Sequence, residues 1–182
     1  MITRETASQK LINFRDAFWF SLGAYALLTQ EPSRSQLSLF TIQVSELDTI
    51  AVGTGSLPLP SRGTSYTIGF NSALDTASAR RVVEHTFRQM ILQSFEVTKA
   101  YASSSDPGVI TEPWFQFARQ YRNAVAHSGR WDIRSRNGLP LVWRRKTVSF
   151  ELHGSSIDGY LTWYEGLQLC AQMINFVSQG IR

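Results

Sequence analysis

The stretch Thr111-Glu112-Pro113-Trp114-Phe115-Gln116-Phe117-Ala118-Arg119-Gln120-Tyr121-Arg122-Asn123-Ala124-Val125-Ala126-His127-Ser128-Gly129 reads as one helix with both ends marked. Thr111 is an N-cap residue type. Glu112 puts an acid in the first turn, and Pro113 takes an early position where its missing N–H costs little. Trp114, Ala118, Tyr121 and Val125 recur at spacings of three and four, which makes one apolar stripe. Gly129 supplies the left-handed stop that ends many helices.

Three more segments carry the same period. Leu11, Phe14, Phe18, Leu22, Tyr25 and Leu28 predict a helix over about 9–30, which Glu31-Pro32 ends. It is apolar almost all round after Ala17, as expected of a central or interface helix. Val83, Phe87, Met90, Ser94, Val97 and Tyr101 predict a second helix over about 71–103, with Ser72 or Asp75 as its cap. Ile157, Leu161, Tyr164, Gln168, Leu169, Met173, Phe176 and Val177 predict a closing helix over about 156–181, capped by Ser155 or Ser156.

Two stretches lie outside this pattern. Residues 33–70 are rich in Ser, Thr, Gly and Pro. Within them Phe40, Val44, Leu47 and Ala51 fit a short helix, while Leu37 to Val44 fits an extended strand; the helix is the favoured reading. Leu141 to Arg144 and Thr147 to Leu152 predict two short strands joined at Arg145-Lys146. The expected architecture is all-α: a single helical domain over 1–182, an up-and-down bundle of four to five helices, with a small β-hairpin before the last.

Composition fits a folded chain. Its 182 residues are 43% hydrophobic and 12% aromatic, unlike a disordered segment. The formal net charge of +4 comes from fifteen Arg and three Lys against fourteen acids. That excess of arginine suits phosphate but does not demand nucleic acid. The lone Cys170 excludes an intramolecular disulfide, and its place on an apolar helix face fits a small hydrophobe. Met1 to Lys10 is polar and mixed in charge, and the longest apolar run, Ala17 to Leu28, is far shorter than the roughly 20 residues of a membrane span. A cytoplasmic protein without a membrane anchor is expected. The three His are scattered, no His or Cys pair has zinc-finger spacing, and neither a P-loop nor a nucleophile elbow appears. Neither metal nor cofactor is expected.

The chemistry gathers at the end of the quoted helix. Arg122 offers a planar fork for phosphate, His127 a group that carries a proton near neutral pH, and Asn123 lies one turn before His127 on the same helix face. A helix C-terminus favours a protonated imidazole, which suits a general acid and equally suits plain capping. Arg122 is five residues before His127, roughly 140° around an ideal helix, so its long side chain or a loosened last turn must close that gap. A second pair at the same spacing, Arg80 and His85, sits mid-helix among Arg81, Glu84 and Arg88 and reads as a solvated charged face. Arg130, Arg134, Arg136, Arg144, Arg145 and Lys146 follow the motif, with Trp131 and Trp143 interleaved. Positive charge with stacking faces suits single-stranded RNA; tryptophans in the core under a solvated hairpin are the alternative. Glu96 and Lys99 on the second helix are further candidates for the same cleft.

The octet Arg122-Asn123-Ala124-Val125-Ala126-His127-Ser128-Gly129 resembles the HEPN superfamily. Ribonuclease members of that family carry Arg, a polar residue, three to five further residues and then His on a late helix of an all-α bundle. The resemblance implies a metal-independent endoribonuclease, catalytic Arg122, Asn123 and His127, and a homodimer with both motifs at one cleft. It further implies attack of a ribose 2′-hydroxyl that leaves a 2′,3′-cyclic end. It also implies a toxin or phage-defence role, with a cognate antitoxin or nucleotidyltransferase as candidate partner. Some members carry a tyrosine two residues after the histidine, where this chain has Gly129. The rival readings are a non-catalytic RNA- or nucleotide-binding module of the same fold, and an adaptor or oligomerisation domain.

Overall fold

The computed structural model describes residues 2–45, 50–54, 57, 65–69 and 76–180. Its elements are α1 (Arg4–Leu28), α2 (Glu31–Leu37), β1 (Phe40–Ser45), β2 (Ile50–Thr54), β3 (Ser65–Gly69), α3 (Thr76–Ser105) and a 3-10 turn at Pro107–Thr111. Then follow α4 (Pro113–Ala126), β4 (Leu141–Trp143), β5 (Lys146–Val148), a 3-10 turn at Phe150–Leu152 and α5 (Trp163–Gln179). The chain is mostly helical, with two small antiparallel sheets. Contacts divide it into two units, Met1–Phe18 with Thr86–Arg182, and Trp19–His85.

The first unit holds most of the buried apolar residues. Ala7, Leu11 and Phe18 come from α1; Phe87, Met90, Ile91, Phe95, Val97 and Tyr101 from α3; Trp114, Phe117, Ala118 and Tyr121 from α4; and Leu169, Met173, Phe176 and Val177 from α5. Aromatic rings knit these helices together. Phe176 lies against Trp114 at 5.8 Å and Tyr101 at 5.9 Å between ring centroids. Such pairs contribute about 0.5–1.5 kcal/mol beyond their buried area. Ser94 is buried, Thr98 Oγ1 donates to its carbonyl at 2.8 Å, and the Cys170 thiol lies 3.6 Å from the Ser94 hydroxyl. Burial pushes the Cys170 thiol up, as expected of an inert core cysteine.

Several boundaries differ from the sequence expectations. Thr111 does not cap α4: its hydroxyl donates to the Gly108 carbonyl at 2.9 Å and closes the preceding 3-10 turn, and Glu112 takes the cap position. The closing helix starts at Trp163, not Ser156. Ser155 and Ser156 spend their hydroxyls in turns on Leu152 and Asp158, and Gly159 takes φ +70°. Thr162 is the true cap. Its hydroxyl accepts the Glu165 N–H at 3.2 Å while the Glu165 carboxylate accepts the Thr162 N–H at 2.8 Å, a reciprocal capping box. Ile157 and Leu161 are buried without being helical, and Tyr164 is exposed. The hairpin turns at Arg144-Arg145, one residue early, with Arg144 at φ +53°.

Where a short helix is expected over Phe40 to Ala51, the described residues form strand β1 and the start of strand β2, in a sheet of order β2-β1-β3. Alternating Ile42, Gln43 and Val44 give the two-residue period of a strand, which the four-residue spacing of Phe40 and Val44 had masked. Register pairs Ile42 with Val52 and Val44 with Ile50 on one face. Val44, Ile50 and Val52 are exposed there, while Gln43 on the opposite face is buried. Trp19, Phe20 and Leu27 of α1 are exposed in the same unit. Leu47, the expected helix start at Asn71 with its caps Ser72 and Asp75, and the helix end at Ile181 lie outside the described residues. Among the described residues no helix is long and apolar enough to cross a membrane.

Candidate functional site

The last turn of α4 unwinds through two left-handed residues, Ser128 at φ +59° and Gly129 at φ +74°. The Gly129 N–H reaches back to the Ala124 carbonyl at 3.0 Å and the His127 N–H to the Asn123 carbonyl at 2.9 Å, which satisfies these two carbonyls of the last turn. The segment beyond is pinned to the 154–157 strand-like run. Ile157 N–H donates to the Gly129 carbonyl at 2.9 Å, Trp131 N–H to Ser155 at 3.0 Å, and Gly154 N–H to Trp131 at 2.8 Å. Gly129 faces the Arg88 guanidinium, which is ion-paired with Asp158. His127 is thus held at a fixed helix end, with its ring about half exposed.

A cavity of about 410 Å³ opens there, within the range of about 300–1,000 Å³ typical of ligand sites. Asn123, His127 and Asp132 line it together with Arg119, Gln120 and Asn137. Residues 119, 123 and 127 are four apart, so one stripe of α4 forms this wall. The Asp132 carboxylate lies 3.7 Å from His127 Nε2. Arg134 donates to that carboxylate from Nε at 3.0 Å and Nη2 at 2.8 Å, which holds the Asp132 carboxyl below its usual range.

Arg122 is not part of the cavity lining. One residue before Asn123, it is turned about 100° around the helix and faces α3, where its Nη2 meets Glu96 Oε1 at 2.5 Å. Its Nη1 donates to Asn123 Oδ1 at 3.3 Å, and its buried Nε has no hydrogen-bond partner. The structure therefore brings Asn123 and His127 to one wall and stands Arg122 behind Asn123. Glu96 touches Arg122 rather than the cavity.

The other expected basic residues are spread out. Arg130 donates to the Gly154 carbonyl at 2.7 Å, Arg134 lines the cavity, and Lys146 pairs with Glu165 at 3.1 Å. Arg136 lies over the Phe150 ring and Arg144 over the Trp143 ring; Arg145 is exposed. The interleaved tryptophans are core residues: Trp131 is 1% exposed against Tyr160, and Trp143 is 7% exposed against Phe117. They offer no open stacking face. His153 accepts the Ile133 N–H on Nδ1, and Arg80 of the second Arg/His pair is tied to Glu84 in an exposed ion pair. Among the described residues no group of three His, Cys, Asp or Glu is placed to hold a metal ion. Sequence reading missed Arg119, Gln120, Asp132 and Asn137 at the cavity; the four-residue spacing back from His127 would have found the first.

The chain matches no protein-family model, no curated protein and no solved structure.

Proposed function

We propose that this chain is a metal-independent endoribonuclease of HEPN type. The observation that carries the reading is the shared wall: Asn123 and the half-exposed His127 lie side by side on a cavity of ligand size beside a carboxylate and two arginines. In this reaction a base takes the proton of a ribose 2′-hydroxyl, whose oxygen bonds to the adjacent phosphorus. The bond from phosphorus to the 5′-oxygen breaks and an acid protonates the leaving oxygen. The products are a 2′,3′-cyclic phosphate and a 5′-hydroxyl. His127 serves as acid or base, its twin in a second protomer takes the complementary task, and Asn123 orients the imidazole or the phosphate. Arg122 braces Asn123 from behind the wall. Exposed Trp19, Phe20 and Leu27 on α1 support a homodimer. A toxin or phage-defence setting, with an antitoxin or nucleotidyltransferase partner, belongs to the same proposal.

The test is single-stranded RNA incubated with the protein in EDTA, beside folded His127→Ala and Arg122→Ala controls. Cleavage with cyclic-phosphate ends, reduced about 10²- to 10⁴-fold in His127→Ala, supports the enzyme. The hold of Glu96 on Arg122 favours a second reading, a module that binds RNA without cutting it. That module shows salt-sensitive affinity and no cleavage at any protein concentration.

A further inference from the structure

We infer that Arg119 is the cation that grips the RNA backbone, and that it holds a phosphate flanking the one beside His127. The inference rests on the RNA reading above and names a substrate contact that the Arg122 motif does not supply.

Two observations lead to it. The first is electrostatic. The cavity wall carries two guanidiniums, Arg119 and Arg134. Arg134 is committed to Asp132 through a two-nitrogen contact. Arg122, behind the wall, is committed to Glu96. Arg119 has no acidic partner among the described residues, and it is exposed at the rim. The charge that Asp132 leaves uncancelled on this wall is therefore that of Arg119. A planar fork without a partner, at the mouth of a polar cavity, suits a phosphodiester oxygen pair.

The second is distance along the helix. Arg119 and His127 are eight residues apart, about 12 Å of helix at the standard rise of roughly 1.5 Å per residue. Asn123 lies midway. That backbone separation leaves room on the same wall for a neighbouring phosphate of the strand beside Arg119. Gln120 and Asn137 line the cavity as well and offer amides to the nucleotide between. The substrate is then an RNA segment of at least two consecutive phosphates, and Arg119 contributes binding rather than chemistry.

The experiment is a cycle between protein and substrate. Short single-stranded RNAs with one known cleavage position carry an uncharged methylphosphonate at each phosphate in turn, and KM and kcat are measured for wild type and for Arg119→Ala. In wild type, neutralising one flanking phosphate raises KM about tenfold, the size of one charge-assisted contact. In Arg119→Ala, KM is already raised by that factor, kcat is unchanged, and the same neutralisation adds nothing. Arg119→Lys, which keeps the charge without the fork, recovers part of the loss. An Arg119→Ala protein that still penalises the neutral flanking phosphate overturns the inference, as does a loss confined to kcat. Where RNA is bound but not cut, the same cycle is read on Kd and decides the inference alone. Where wild type neither binds nor cuts RNA, the functional reading fails and the inference with it.

Discussion

Arg122 on α4 and Glu96 on α3 close on each other at 2.5 Å, and the same guanidinium donates to Asn123. The contact ties the residue before Asn123 to a neighbouring helix, so the arginine braces the cavity wall from behind. Both side chains remain about a third exposed, which limits the pair to roughly 0.5–1 kcal/mol. A double-mutant cycle with Glu96→Ala and Arg122→Ala, read by denaturant unfolding, is expected to show a coupling of that size. Strict additivity of the two losses would mean that the pair is not formed in solution.

Gly166 of α5 packs directly against the Phe87 ring of α3. A methyl group built there would stand 2.1 Å from the Phe87 ring, and both residues are buried. The glycine is needed for space, since it lies inside a helix at an ordinary backbone conformation. Gly166→Ala removes an entropic handicap of about 1 kcal/mol in the helix but forces the ring to move. Overpacking of this kind costs about 1–3 kcal/mol, and the expected net result is a lower melting temperature. Pairing it with Phe87→Leu should restore part of the loss. An unchanged melting temperature in the single variant would show that Phe87 has room to swing away.

The helices were legible in the sequence because their apolar stripes are long. Every residue of the stripe from Val83 to Tyr101 is buried, as are Trp114, Ala118 and Tyr121. Helix starts were less legible, because a residue type that can cap a helix can also close a turn. Thr111 and Ser155 both do so. The β1–β2 region was misread because Phe40 and Val44 fit a helical spacing, and only pairing with Ile50 and Val52 decides for a strand. At the site, spacing placed Asn123 and His127 on one wall. It did not reveal that a glutamate twenty-six residues earlier would claim Arg122. That choice depends on which helix packs against α4, a tertiary fact.

The start of α5 makes its own stability prediction. Thr162 and Glu165 form the capping box, and Lys146 adds an ion pair to Glu165 at 3.1 Å. Partial burial pushes the Glu165 carboxyl up, but the Thr162 N–H, Lys146 and the Thr162 hydroxyl outweigh it and hold it below the usual range. A carboxyl depressed in the folded state adds stability above its unfolded value, near 4.3, and that stability is lost as the pH falls through the lower folded value. Wild type should therefore lose stability below about pH 4.3 more steeply than Glu165→Gln. Thr162→Ala should cost about 1 kcal/mol at neutral pH. Parallel acid limbs in wild type and Glu165→Gln would remove Glu165 from this account.

Trp143 separates a structural tryptophan from a nucleic-acid contact. Its ring packs 5.2 Å from the Phe117 centroid, and the Arg144 guanidinium lies 5.5 Å from the Trp143 centroid. A stacking platform for bases would have to offer an open face, and this ring is almost fully buried. Trp143→Ala should act as a core deletion and cost about 3–5 kcal/mol of stability. If the proposed RNA reading holds, Trp143→Phe, which keeps most of the packing, should retain RNA affinity close to wild type once both proteins are shown to be folded. His127 behaves in the opposite way, since its ring is 54% exposed. His127→Ala should move stability by no more than about 0.5 kcal/mol and, on the proposed reading, lower RNA cleavage about 10²- to 10⁴-fold. A folded Trp143→Phe protein that has lost RNA affinity would reverse this assignment and bring the hairpin, with Arg144 and Arg145, back to the RNA surface.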